Sequence, residues 1–196
     1  EAAPGNRDHV LRPCSTRHGC RILTHPLRIA KLSADLKEDF YKIHALGEYG
    51  NCCYCMAWWN PSWDGWNDRT CEQNHEAREE LFSRQVFDGY LFYIGDEPQG
   101  WCQAGQRDQY SNLLKVYGLA PDPAIWSITC FLLNPELKGK GFTHDFLKLV
   151  LDDLKNSGIQ RVQAFPHLGE NLSSEDVWPG PLSIFEKAGF STINPD

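Results

Sequence analysis

A short run of glycines and lysines stands where an apolar segment meets an amphipathic one. The run is Lys138-Gly139-Lys140-Gly141-Phe142-Thr143, and it follows the apolar, β-branched residues 124–133. Glycines let successive backbone N–H groups converge on one anion, while a helix N-terminus and two lysines add positive charge. The spacing therefore predicts a strand-to-helix turn that binds a phosphate or a diphosphate.

Two other phosphate-binding motifs are absent from this turn. Gly141 is followed by Phe142 and not by a lysine, which excludes the GxxxxGK[ST] loop. A GxGxxG dinucleotide fingerprint is also incomplete, because His144 stands at the third glycine position. An ordinary tight turn whose lysines face water remains an alternative for the segment taken alone.

The run LLNPELKGKGFTHDFL resembles motif A of the GNAT superfamily of acyl-CoA-dependent N-acyltransferases. That motif has the pattern Arg/Gln-x-x-Gly-x-Gly/Ala at a helix start. Lys138 stands at the Arg/Gln position, Gly141 matches the inner glycine, and Thr143 replaces the final Gly/Ala. A threonine hydroxyl at a helix start can still donate to a phosphate.

A second segment also resembles this superfamily. Residues 181–190, PLSIFEKAGF, are similar to its closing LYEKxGF helix-to-strand segment. The resemblance covers about residues 27–196, closely from Tyr90 onward and loosely before it. It is nearest to a branch that has a Cys-Tyr-Cys-Met-Ala-Trp-Trp loop and no well-defined substrate. It implies an α+β fold, an α/β sandwich with a mixed, mostly antiparallel sheet whose fourth and fifth strands splay apart between flanking helices.

The resemblance assigns acetyl-CoA, the acyl donor, to two adjoining segments. The pyrophosphate is expected on the backbone of residues 138–143. The pantetheine arm is expected to pair, in the manner of a strand, with the backbone of Phe131, Leu132 and Leu133. An N–H group of that strand is then the natural donor to the oxyanion of the tetrahedral intermediate.

The catalytic acid and base of many relatives are missing. Ser127 and Thr129 occupy the strand positions where relatives carry a carboxylate base, and Phe185 replaces the tyrosine acid of LYEKxGF. His167, with Glu170 and Asp176 nearby, is a candidate base, as is a water chain from a more distant carboxylate. Ser183 or a water is a candidate acid, while Phe185 is expected to pack the last helix onto the sheet.

The elements that must position these groups can be read from periodicity and turn signals. Residues 1–26 are expected to be an extension of a single GNAT-like domain at residues 27–196. Residues 47–69 form a long connection, and the resemblance places its Trp58, Trp59, Trp63 and Trp66 near the amine. Packing of the indoles over the core is the alternative explanation. The predicted elements are strands at 27–32, 90–95, 99–107, 124–133 and 159–166, a helix capped by Ser33 that ends near Leu46, a helix that starts with a Thr70–Gln73 capping box, and a helix from Phe142 to Gly158.

The eight cysteines admit three interpretations. Buried free thiols are the default, and Cys102 and Cys130 fall in predicted strands as small apolar residues. A zinc site from Cys53, Cys55, Cys71 and His75 is an alternative, and Cys14, His18 and Cys20 suggest a weaker one. No metal is assigned. A disulfide framework is the least favoured, since no sign of secretion is present.

Composition limits the classes of partner. The net charge of −7 over 196 residues argues against nucleic acid and suits a cationic amine. No apolar run reaches membrane-span length, and the N-terminal residues lack the apolar core of a signal peptide. The chain begins at Glu1 without a methionine, so a removed leader would not be visible. We expect a cytoplasmic protein that does not bind membranes, with a possible homodimer.

Three functions follow from these features. The leading hypothesis is an N-acetyltransferase that moves an acetyl group from acetyl-CoA to an unidentified primary amine in a ternary complex. The second is an acyl-CoA-binding sensor or interaction protein without catalysis. The third is a zinc-stabilised interaction module.

Overall fold

The described residues form five strands and five α-helices, which position the candidate site. The computed structural model describes residues 25–46, 52–169, 171–173 and 176–193. The strands form one sheet in sequence order, antiparallel from β1 to β4 and parallel between β4 and β5. The elements are β1 (Leu27–Lys31), α1 (Lys37–His44), α2 (Cys71–Ser83), β2 (Gly89–Ile94), β3 (Glu97–Gln106), α3 (Ser111–Val116), β4 (Ile125–Leu133), α4 (Phe142–Asn156), β5 (Arg161–Ala164) and α5 (Leu182–Lys187).

The last two strands pair only at the beginning of β4. The parallel ladder runs from the pair Ile125–Arg161 to the pair Ile128–Ala164. Strand β5 then ends, while β4 continues to Leu133 and pairs only with β3 on its other edge. The mixed sheet with splayed fourth and fifth strands is thereby confirmed.

Each face of the sheet packs against its own pair of helices. One core contains Phe92 and Cys102 of the sheet together with Phe146 of α4 and Phe185 of α5. The other contains Leu91 and Trp101 with residues of α1 and α2. Alternate strand residues point to opposite faces, so neighbours such as Trp101 and Cys102 belong to different cores. Among the described residues, no helix has the length and apolar character that a membrane span needs.

Of the two helix caps predicted from the sequence, one is present and one is not. The Thr70 hydroxyl accepts from the Gln73 N–H and the Gln73 side chain accepts from the Thr70 N–H, so the predicted capping box is confirmed. Ser33 makes no side-chain capping bond, and a short 3₁₀ turn precedes α1 there. Helix α3 was not predicted, because its six residues are too few to show a helical period.

One cysteine expectation was wrong. Cys52 and Cys71 form a disulfide that ties the long connection to the start of α2. Such bonds are typical of oxidising compartments and rare in the cytosol. Because Cys71 is bonded to Cys52, it cannot act as a thiolate ligand, and the zinc set proposed from the sequence is wrong. No group of three or more potential ligands occurs in the described residues, while Cys14, His18 and Cys20 lie outside them.

Asp88, at the start of β2, is the centre of a buried polar network. Its carboxylate accepts hydrogen bonds from Arg78 of α2 at 2.8 Å, from the Trp59 indole at 2.8 Å and from Gln103 of β3 at 2.6 Å. Gln103 also donates to the Cys55 carbonyl and accepts from the Thr129 hydroxyl of β4, each at 2.9 Å. One carboxylate therefore joins a helix, the connecting loop and two strands.

The Arg78 guanidinium depends on this carboxylate. Its side chain and that of Asp88 are fully buried, and its Nε and Nη1 atoms have no hydrogen-bond partner among the described residues. The ring of Phe40 lies 4.4 Å from its central carbon and that of Phe82 lies 5.2 Å away. Those ring faces attract a cation, but within the described part of the chain the ion pair of Arg78 is with Asp88 alone.

Asp88→Asn should destabilise the protein strongly. The substitution leaves a buried guanidinium without its counter-ion, which costs about 3 kcal/mol or more of unfolding free energy. The matched control is Glu80→Gln, because Glu80 pairs with Arg84 at 3.7 Å on the surface. That change should cost at most about 0.5 kcal/mol. Urea denaturation measures both, and equal losses in the two variants would contradict the importance given to Asp88.

Candidate active site

The glycine turn at the start of α4 is exposed and has the backbone shape of an anion site. Gly139 and Gly141 adopt left-handed conformations, with φ of 71° and 82°. Both residues and the lysines beside them are exposed, and nothing lies within 4 Å of a Cβ built at Gly139. In the described chain, the N–H groups of Gly139, Gly141 and Thr143 have no protein acceptor. The turn therefore offers backbone donors at the positive end of a 15-residue helix.

The last three residues of β4 lead to this turn through a short 3₁₀ turn at Pro135–Leu137. Phe131, Leu132 and Leu133 are half-buried. Their β3-facing edge is paired, while their β5-facing edge lies beyond the end of β5. The two segments predicted to bind the acyl donor thus lie at the same end of the sheet, separated along the chain by residues 134–137.

A segment of the protein itself already covers part of that free edge. The N–H of Phe131 donates to the carbonyl oxygen of Trp178 at 2.8 Å. Pro179 and Gly180 are buried beside it. Gly180 has φ of 99°, and a Cβ there would lie 3.0 Å from Phe131 and Phe185, so only glycine fits without rearrangement. Any ligand that pairs with the Phe131 N–H must replace the Trp178 carbonyl.

Aromatic rings connect this segment to the tryptophan-rich loop. The Trp178 ring lies 5.7 Å from that of Trp58, which in turn contacts Trp63 at 5.1 Å and Tyr117 at 6.1 Å. The Trp58 Nε1 group is buried and has no hydrogen-bond partner in the part of the chain that the structure describes, while Trp63 and Tyr117 are 40% and 41% exposed. We call Trp58, Trp63, Tyr117 and Trp178 the aromatic cluster.

The remaining tryptophans of the loop differ in position. Trp66 contacts Trp63 at the outer side of the aromatic cluster. Trp59 instead bonds Asp88 and packs on Tyr110, so it belongs to the buried network. The loop therefore combines a buried anchor with a partly exposed aromatic surface.

Among the candidate catalytic residues, Asp176 interacts electrostatically with His167, while Ser183 belongs to α5. His167 is half-buried after β5, with its ring 5.9 Å from that of Trp178. Ser183 is exposed on α5, and Glu170 lies outside the described residues. Asp176 is exposed, and hydrogen bonds from the Ser173 hydroxyl and N–H lower the pKa of its carboxyl group.

The residues at the positions expected for the catalytic acid and base are buried in the core of this chain. Phe185 is buried and packs on Phe131 and Phe190, which confirms the packing role expected for it. Ser127 and Thr129 are fully buried. The Thr129 hydroxyl is committed to Gln103, and the Ser127 hydroxyl has no partner in the described chain.

Comparison with solved structures identifies the architecture. The aminoglycoside acetyltransferase AAC(6')-Ib, in complex with coenzyme A, superposes with a TM-score of 0.53 at 16% identity, covering 84% of each chain. AAC(6')-Iy, in complex with the bisubstrate analogue CoA-S-monomethyl-acetylneamine, gives a TM-score of 0.52 at 13% identity, covering 87% of this chain and 94% of that one. The chain has the GNAT fold. No protein-family model matches the sequence, and no curated protein matches it significantly.

Within the GNAT fold, two features were missed by sequence reasoning. The hydrogen bond from Phe131 of β4 to the Trp178 carbonyl had one sequence signal, the Trp-Pro-Gly turn at residues 178–180. No sequence signal indicated the Asp88 network, because its members lie far apart along the chain and meet only in the folded protein.

His44, the last residue of α1, is a buried neutral histidine. Its Nδ1 lies 2.8 Å from the Phe40 carbonyl oxygen, which can only accept, so Nδ1 carries the proton. Its Nε2 faces the Cys55 sulfur at 3.5 Å, and the Cys55 sulfur accepts from the Trp101 indole at 3.0 Å. Burial lowers the pKa of His44 to about 3.

This histidine should make stability depend on pH. Because the folded pKa lies below the unfolded value of 6.5, the unfolded chain binds the proton first and stability falls as pH drops from 6.5 toward 3. Between pH 7 and pH 5 the contribution of His44 should fall by about 2 kcal/mol. Urea denaturation at the two pH values should show this loss in the wild type and a much smaller one in His44→Gln.

Exposed His144 provides the control for this experiment. The variant His144→Gln should keep the wild-type dependence on pH, since its imidazole is reached by water in both states. If His44→Gln lost as much stability as the wild type between pH 7 and pH 5, the buried neutral state of His44 would be wrong.

Proposed function

We propose that this protein transfers an acetyl group from acetyl-CoA to a primary amine that attacks the thioester directly. The observation that carries the proposal is the exposed turn with left-handed Gly139 and Gly141, at the point where β4 runs past β5 in a GNAT fold. Its free N–H groups and the helix N-terminus suit a diphosphate. Lys138 and Lys140 would supply full positive charge there.

The pantetheine arm would lie along the free edge of β4. In this proposal it takes the Phe131 N–H from the Trp178 carbonyl, and Leu132 and Leu133 continue the strand-like contact. The thioester then lies near the aromatic cluster. Its rings would contact the acceptor, because ring faces attract both cations and apolar groups.

The chemical roles fall to residues around this edge. We assign His167 as the base that accepts a proton from the ammonium, because its ring contacts Trp178 at the aromatic cluster. Glu170 is the second candidate, and Ser183 is the candidate donor to the leaving thiolate. Since a thiol has a pKa near 8.5, the thiolate leaves without a strong acid.

A second candidate function is binding of acyl-CoA without catalysis. Three observations favour it: Phe185 cannot donate a proton, Ser127 and Thr129 are buried where relatives carry a base, and the Phe131 N–H is bonded to Trp178. The two candidates share the donor site and differ only in turnover. Release of CoA thiol from acetyl-CoA across a panel of primary amines distinguishes them.

The donor site itself is tested by removing its charges. The double variant Lys138→Ala and Lys140→Ala should bind CoA about tenfold more weakly or worse, because charge-assisted contacts to phosphate are lost. Lys148→Ala is the control, since Lys148 pairs with Asp152 further along α4. Isothermal titration calorimetry gives the dissociation constants, and equal affinity in all three proteins would refute a phosphate role for the turn.

A further inference from the structure

Two free cysteines lie in contact beside the candidate site. The sulfur atoms of Cys55 and Cys130 are 3.3 Å apart. Cys55 is buried in the tryptophan-rich loop, three residues after the Cys52–Cys71 disulfide, and Cys130 is half-buried in β4 immediately before Phe131. The two residues are 75 positions apart along the chain, so their contact arises from the tertiary fold.

We propose that Cys55 and Cys130 form a reversible thiol–disulfide site that peroxides oxidise. The resulting disulfide would link the tryptophan-rich loop covalently to β4. This proposal concerns a modification of the protein, and it does not depend on acetyl transfer.

The chemistry balances with a peroxide as the oxidant. The Cys130 thiol gives up its proton and the thiolate attacks one peroxide oxygen. The O–O bond breaks, a sulfenic acid forms, and the departing hydroxide takes up that proton as water. The Cys55 sulfur then attacks the Cys130 sulfur, the S–S bond forms, and the hydroxide leaves with the remaining proton as a second water. The two thiols lose two electrons and hydrogen peroxide gains them.

The order of these steps follows from the surroundings. Burial raises the pKa of the Cys55 thiol well above its usual value, so Cys55 is a poor first target. Cys130 is the more accessible of the two. Its sulfenic acid would form within contact distance of the Cys55 sulfur, which then acts as the resolving thiol.

The two sulfur atoms are already close to bonding distance. A disulfide needs a sulfur–sulfur distance of about 2.05 Å, so the atoms must approach by roughly 1.2 Å. Cys55 and the preceding Tyr54 adopt left-handed backbone conformations, with φ of 51° and 44°. These are unusual for residues other than glycine, and they hold the Cys55 side chain toward β4. Cys102, by contrast, is buried in the core on the opposite face of the sheet.

The test is a peptide-resolved map of the full chain after treatment with hydrogen peroxide. Free thiols are alkylated and the protein is digested with chymotrypsin, which cleaves after Tyr54 and so separates Cys55 from Cys53. We expect a Cys55–Cys130 linked peptide that dithiothreitol removes. The melting temperature should rise by several degrees on oxidation, because the new bond closes a long loop.

Two variants define the outcomes. Cys130→Ser should abolish the linked peptide and the rise in melting temperature, while Cys53→Ser, a change of a neighbouring free thiol in the same loop, should keep both. Cys130 recovered as a sulfinic acid without a link, a link from Cys130 to Cys53, or thiols unchanged after millimolar peroxide would each overturn the proposal.

Discussion

The buried carboxylate of Asp88 is the interaction on which the rest of this structure depends. It compensates the charge of fully buried Arg78, fixes the Trp59 indole and orients the Gln103 side chain. Through Gln103 the same network reaches the backbone of Cys55 and the hydroxyl of Thr129 on β4. The loop that bears the aromatic residues is therefore held against the strand that leads to the glycine turn. A buried charge is costly unless it is fully paired, so this arrangement defines one position for the loop.

The candidate site lies where the ladder between β4 and β5 ends. An exposed turn with free N–H groups stands at one end of the open edge, and a segment of the chain covers the N–H of Phe131 beside it. The hydrogen bond from Phe131 to Trp178 and the contacts of Gly180 are what a ligand along β4 would have to replace. The same Trp178 joins the aromatic cluster, so binding at the donor edge and the arrangement of the acceptor side are physically linked in the function we propose.

Local features of this protein were predictable from its sequence, and long-range ones were not. The strand-turn-helix around Gly141, the apolar stripe of α4 and the Thr70–Gln73 capping box depend on residues a few positions apart. The sheet with its splayed strands followed from the resemblance of motif A. The Asp88 network and the Trp178 carbonyl depend on groups that meet only after folding, and the Cys52–Cys71 disulfide could not be told from free thiols or metal ligands by spacing. The sequence also suggested a cap at Ser33 where the backbone enters a 3₁₀ turn instead.

The central claim is that the free edge of β4 and the glycine turn together form a CoA site. The most direct measurement is the change in backbone amide resonances of ¹⁵N-labelled protein as CoA is added. We predict that the amides of Gly139, Gly141 and Phe131 shift together with saturation, while that of Ala104, bonded to the Asp88 carbonyl, stays in place. Unchanged resonances for the turn and for Phe131 at millimolar CoA, or shifts confined to other parts of the protein, would contradict the claim.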